Sequence, residues 1–167
     1  VLLKIVHNVN IRRLLLKKTV NDSQLKQFKA LVAKLFQCCQ ERMQYQSEKF
    51  GLPEAELRCL IIFGDERYLT AKGISLKLNV VKSRVTKILQ GLVKKGFIQR
   101  IQDPKDSRIT LLTLTPEGQR KLEEINQFID SIHMEVLLNM VPEQRRTLLK
   151  NLDLLSVSME AVKELMD

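Results

Sequence analysis

The chain has 167 residues, 44% of them hydrophobic and 28% charged, with a formal net charge of +9. That size suits one domain or one domain with an extension, not a two-domain enzyme with a wide cleft, and the apolar share is too high for a disordered polycation. The charge is concentrated: residues 1–20 carry +5, residues 21–69 none, residues 70–110 +8 and residues 111–167 −4, so a central block has the footprint of a polyanion-binding surface.

With no Trp, 5% aromatic residues and six Gly, the composition favours helices over a sandwich or barrel. No apolar run approaches the ~20 residues of a membrane span. Three cysteines are an odd, sparse set that suits a reducing cytoplasm. His7 and His133 lie far apart and away from any Cys-x-x-Cys pair, so no metal or cofactor is expected. No nucleophile–base pair, paired carboxylates or Gly-rich phosphate loop points to an enzyme.

In chain order, Val1 to Val20 reads as an apolar arm carrying Lys4, Arg12, Arg13, Lys17 and Lys18, a solvated tail or else a DNA-tracking arm. Asn21, Asp22 and Ser23 offer N-caps for a long amphipathic helix through Leu25, Phe28, Val32, Leu35, Cys39 and Met43, ending at Gly51. After Leu52-Pro53 a short, buried helix is expected over Glu54 to Phe63, stopped by Gly64-Asp65. A further short helix starts from Thr70, with Ile74 and Leu78 inward, and breaks at Asn79. The segment Val81–Lys95 has an apolar face of Val85, Ile88, Leu89 and Leu92 and a free cationic face, and Gly96 ends it.

Two alternating runs, Phe97–Ile101 and Ile109–Leu114, flank the polar tip Gln102–Arg108 and read as a β-hairpin. Thr115-Pro116-Glu117 is a strong helix start for a stripe of Leu122, Ile125, Ile129, Ile132 and Val136. The last helix starts at Pro142 and carries Leu148, Leu152, Leu155, Met159, Val162 and Leu165.

Two short helices joined by a tight turn, the second cationic and followed by a hairpin, describe a winged helix-turn-helix in a mainly α fold with a small β-wing. A recognition helix buries one face and offers short polar and cationic groups to the duplex, which fits Lys82, Ser83, Arg84 and Lys87. Arg84 suits a guanine edge, and Thr86 and Lys87 suit phosphates. Lys105 and Arg108 on the hairpin tip are long enough for a minor groove, with Asp106 placed to pair with Arg108 and aim it.

Leu69 to Gly118 resembles the MarR (multiple-antibiotic-resistance regulator) family of dimeric bacterial transcription factors. The resemblance is carried by Val85-Thr86, by Leu92-Val93-Lys94-Lys95-Gly96-Phe97-Ile98, by Asp103-Pro104-Lys105-Asp106-Ser107-Arg108 and by Leu112-Thr113-Leu114-Thr115-Pro116-Glu117-Gly118. It implies a homodimer with interlocked first and last helices on a pseudo-palindromic duplex, with Arg108 in the minor groove and Ser83, Arg84, Thr86 and Lys87 in the major groove. The expected organisation is an arm at 1–20, a helical dimerisation region at 21–51 and 119–167, and a winged helix-turn-helix at 52–118.

The chain departs from the family pattern at Val81, where Ser or Thr usually caps the recognition helix, at Asn79, where Gly is common, and at Gly73. The first departure forgoes a cap worth ~1 kcal/mol. The expected function is a cytoplasmic, sequence-specific regulator, a repressor that responds to a ligand or to stress. The alternative from another class is a winged-helix protein-interaction module without DNA binding. Relatives also suggest oxidant sensing through Cys38, Cys39 or Cys59, against a plain reading of these as small hydrophobes at helix interfaces. A small aromatic ligand near Phe36, Tyr45, Phe63 and Tyr68 is implied in the same way, against ordinary core packing of each.

Overall fold

A computed structural model of the protein describes residues 20–64 and 66–164. The basic arm up to residue 19, Asp65 and Leu165 lie outside the described residues. Among those described are six helices and one antiparallel two-stranded sheet: α1 Asp22–Phe50, α2 Glu54–Ile61, α3 Ala71–Leu78, α4 Lys82–Lys94, β1 Ile98–Gln102, β2 Thr110–Leu114, α5 Pro116–Leu138 and α6 Pro142–Lys163. None of these helices is long and apolar enough to cross a membrane. The chain divides into two compact units, Val1–Glu54 and Ala55–Asp167.

The first unit is dominated by α1. A capping box starts it: Gln24 N donates to Asn21 Oδ1 at 2.7 Å and Asn21 N donates to Gln24 Oε1 at 3.1 Å. Gly51, at φ 62°, ends it in the left-handed conformation that lets Leu52 N reach Ser47 O at 3.0 Å. Between these caps the apolar stripe is open to solvent, with Leu25, Phe28, Leu31, Leu35 and Phe36 all exposed.

The second unit holds the winged helix. Helix α2 ends at Ile61, two residues before the Phe63 expected from periodicity. Phe63 N and Gly64 N bond to Leu60 O and Ile61 O in tighter, three-residue turns, and Gly64 at φ 43° lets the chain leave. Thr70 caps α3 through Gly73 N at 3.1 Å. Asn79, at φ 53° and ψ 50°, closes the helix, so that Val80 N reaches Ser75 O at 3.1 Å. Three residues, Asn79 to Val81, then separate α3 from α4.

In α4 the buried side chains are Val85, Ile88, Leu89 and Leu92. They share a core with Leu57, Leu60, Phe63, Ile74, Ile98 and Leu112, each contributing ~1.5–3 kcal/mol by leaving water. Gly96, at φ 75°, turns the chain into the wing, and Phe97 N bonds back to Leu92 O at 3.0 Å. Phe97 is thereby spent on the helix end, and the first strand starts one residue later than the alternation suggests. Strand pairing runs from Ile98 opposite Leu114 to Gln102 opposite Thr110.

Leu69 adds a third segment to the wing by exchanging hydrogen bonds with Leu112, at 2.9 and 2.7 Å. Thr115 fixes the start of α5 to the wing's root: its hydroxyl donates to Gly96 O at 2.5 Å and accepts from Gly118 N at 3.0 Å. Gly118 is required there, because a Cβ would overlap the Phe97 carbonyl oxygen. Burial in α5 is confined to its first turns, at Gly118, Leu122 and Ile125, and α6 buries no residue.

Candidate nucleic-acid interface

No acidic residue occurs between Arg67 and Asp103, so α4 carries cations and no acid of its own. With its apolar face committed to the core, α4 leaves Lys82, Ser83, Arg84, Thr86 and Lys87 exposed. These five positions hold the proposed major-groove side chains. Four are free to extend outward. Thr86 is different, because its hydroxyl donates to Lys82 O at 3.1 Å and so spends its proton within the helix.

The wing tip is built by its own aspartates. Asp103 Oδ1 accepts from Lys105 N at 2.7 Å and Asp106 Oδ1 accepts from Arg108 N at 3.0 Å, two successive turns in which a carboxylate replaces a backbone acceptor. Ile109 N closes the second turn on Asp106 O at 2.9 Å. The Arg108 guanidinium then returns to the same carboxylate, with Nε 3.1 Å from Oδ1 and Nη2 3.3 Å from Oδ2. These bonds, first from the side chain and then from the backbone N–H of Arg108, hold the Asp106 carboxyl below the usual carboxylate range. The Arg108 side chain remains 89% exposed, and Lys105 is exposed beside it. The spacing Asp-x-Arg over Asp106-Ser107-Arg108 thus shapes the tip and orients its cation at once.

At the C-terminal end of α4 lies a group that sequence reasoning missed. Glu56, on α2, is only 8% exposed, and its Oε2 accepts from Lys95 Nζ at 2.8 Å. Its Oε1 occupies the space that a Cβ at Gly91 would need. A glycine in the middle of an otherwise strong helix was the available signal, since such a position costs ~1 kcal/mol and marks a close approach.

Residues from α3, α4 and both strands, Ala71, Thr86, Leu89, Arg100, Thr110 and Leu112, line a cavity of about 240 Å³. None of the four aromatic residues considered for a ligand lines it. Phe63 is fully buried, Tyr68 is 41% exposed with Arg67 stacked 5.3 Å from its ring centre, and Phe36 and Tyr45 are exposed on α1. The cysteines divide as well. Cys38 and Cys39 are exposed, whereas Cys59 is buried, and burial first and the Glu56 carboxylate second push its thiol up to about 12. Among the described residues no group of three or more His, Cys, Asp or Glu is arranged to hold a metal ion.

Residues 52–110 match the model of the MarR family. An uncharacterised HTH-type transcriptional regulator, YwoH of Bacillus subtilis (strain 168), is 33% identical over 125 residues, which cover 73% of this chain and 83% of that one. Against three further curated relatives the matched stretch is shorter, and the chain spans 46% to 60% of their length. A MarR family protein from Bacillus stearothermophilus superposes with a TM-score of 0.76 over 84% of this chain and 99% of that one, at 18% identity, a likeness of fold. A mutant of S. aureus MepR, solved bound to an oligodeoxyribonucleotide, has the same fold with a TM-score of 0.57 over 79% of this chain and 97% of that one, at 19% identity.

Proposed function

Because the chain belongs to the MarR family of transcriptional regulators, we propose that it binds double-stranded DNA sequence-specifically as a homodimer and represses transcription from a pseudo-palindromic operator. The observation that carries this reading is the pairing of two cationic elements on one unit. Helix α4 presents Lys82, Ser83, Arg84 and Lys87 on its free face, and the wing holds Arg108 outward on a carboxylate-braced turn. A helix of this kind fills a major groove while a hairpin tip reaches the adjacent minor groove. Such a regulator works in the cytoplasm and has no catalytic role.

The dimer is supported by the apolar faces of α1 and α6. Leu25, Phe28 and Leu35 on one and Leu149, Leu152 and Val162 on the other are exposed in the single chain, and apolar surface of that extent marks an interface. A ligand response has support in the 240 Å³ cavity. Arg100 gives it one cation among Leu89, Leu112 and Ala71, which suits a small aromatic acid, and Thr86 places any occupant against the reading helix. Thiol chemistry, on this reading, belongs to the exposed Cys38 and Cys39 and not to Cys59.

Selection of bound duplexes from a random pool, followed by titration of Arg84→Ala and Arg108→Ala, tests the proposal. Each variant is expected to lose about tenfold or more in affinity, since a good bidentate base contact is worth ~1–3 kcal/mol, while remaining folded. Unchanged binding in both would refute the assigned contacts. An affinity independent of salt would favour a protein-interaction module instead.

A further inference from the structure

We propose that Val81 reads the C5-methyl group of a thymine in the major groove, an apolar contact standing where a hydrogen-bonding cap would otherwise meet the duplex. The inference rests on the duplex-binding reading above and adds to it a residue that sets sequence preference.

Val81 is the N-cap of α4, and it makes no side-chain capping bond. Its backbone is nevertheless well held, because its carbonyl accepts from both Arg84 N at 3.0 Å and Val85 N at 3.2 Å. The residue is 69% exposed, so its side chain contributes little to the core. A β-branched side chain on a fixed backbone is confined to few rotamers, and ordering it on a partner costs little. It directly precedes the exposed Lys82, Ser83 and Arg84, at the end of the helix that enters the groove in this docking geometry.

The chemistry narrows the partner. A serine or threonine at this position could give a hydroxyl to a phosphate or a base, whereas valine has no donor or acceptor. Hydrogen-bonding edges and phosphates therefore gain nothing from it and lose water against it. Among base edges the major groove displays one apolar group, the thymine methyl. An isopropyl group held at the mouth of the groove is complementary to that feature alone.

The test uses the full-length protein and the duplex selected for it. Each thymidine is replaced singly by deoxyuridine, which removes the methyl and keeps every hydrogen-bonding group. The wild-type protein is expected to lose about fourfold in affinity at one position in each half-site, the worth of one buried methyl. Val81→Ser restores a capping residue, folds, keeps the same salt dependence and shows no loss at that position. Wild-type binding that tolerates every deoxyuridine, or a Val81→Ser protein that retains the same fourfold loss, would overturn the inference and leave duplex binding standing. A wild-type protein that enriches no duplex and shows no salt-dependent binding would overturn the duplex-binding reading and this inference with it.

Discussion

The carboxylate of Glu56 occupies the place of the side chain that Gly91 lacks. Glu56 Oε2 pairs with Lys95 Nζ at 2.8 Å, and its other oxygen lies where a Cβ at position 91 would stand. The helix is thereby fastened at its C-terminal end, at Gly91 in its last turn and at Lys95 just beyond it. Alanine for glycine inside a helix ordinarily stabilises by ~1 kcal/mol. Gly91→Ala is expected to destabilise instead, by about 1 kcal/mol, because the new methyl drives the carboxylate away from Lys95. In a Glu56→Ala background the same substitution is expected to stabilise. A double-mutant cycle in urea should therefore give a coupling on the order of 1–2 kcal/mol, and additive effects would show that the two positions do not meet.

Cys59 gives a prediction in pH. The thiol is pushed up to about 12 from its ordinary 9.0, so the folded state holds the proton more tightly than the unfolded chain does. That contribution to stability is complete below pH 9 and is lost as the pH rises toward 12. Denaturation curves should fall more steeply with alkali in the wild type than in Cys59→Ala. Alkylation at about pH 8 should leave Cys59 unmodified until denaturant is added, since the thiolate is the reactive form. Rapid labelling of Cys59 in the folded protein would contradict its place in the core.

Gly118 is expected to be intolerant for a different reason from Gly91. Its missing Cβ faces the backbone carbonyl of Phe97 and not the end of a side chain, and Thr115 ties that same carbonyl to the start of α5. Gly118→Ala should therefore cost about 2 kcal/mol or more, with no rescue from any side-chain truncation nearby. A thermal melt within 1–2 °C of wild type, a shift of only about half a kcal/mol at this size, would show that the junction is looser than described.

The proposed dimer predicts a charge-sensitive association. Leu35→Glu and Leu152→Glu each put a carboxylate on an apolar face, and burying it without a partner costs several kcal/mol. Sedimentation should show a wild-type dimer at micromolar concentration and a monomer for either variant. A monomeric wild type would remove the interface assigned to α1 and α6.

Local chemistry made most of the fold legible. The capping bonds of Asn21, Thr70 and Thr115 and the stops at Gly51, Asn79 and Gly96 span five positions or fewer, and they fix the element boundaries. The turn joining Asp106 to Arg108 is equally local, spanning two residues. What could not be read joins distant parts of the chain. Leu69 pairs with Leu112, Glu56 packs on Gly91 and Lys95, and the cavity gathers residues from 71 to 112. The back-bonding of Thr86 to Lys82 was also hidden, because a helical threonine can turn its hydroxyl inward or outward and the sequence alone does not choose.

Duplex binding through phosphates has a steep signature in salt. Each neutralised phosphate releases counterions, so affinity falls as a power of the salt concentration. Titration of the selected duplex between about 50 and 200 mM salt is the most direct measurement. A dimer using α4 and the wing of both subunits should lose about a thousandfold in affinity across that range, as expected for six or more phosphate contacts. An affinity that stays flat with salt, or no binding even at about 50 mM, would contradict the assignment of the 70–110 charge to DNA.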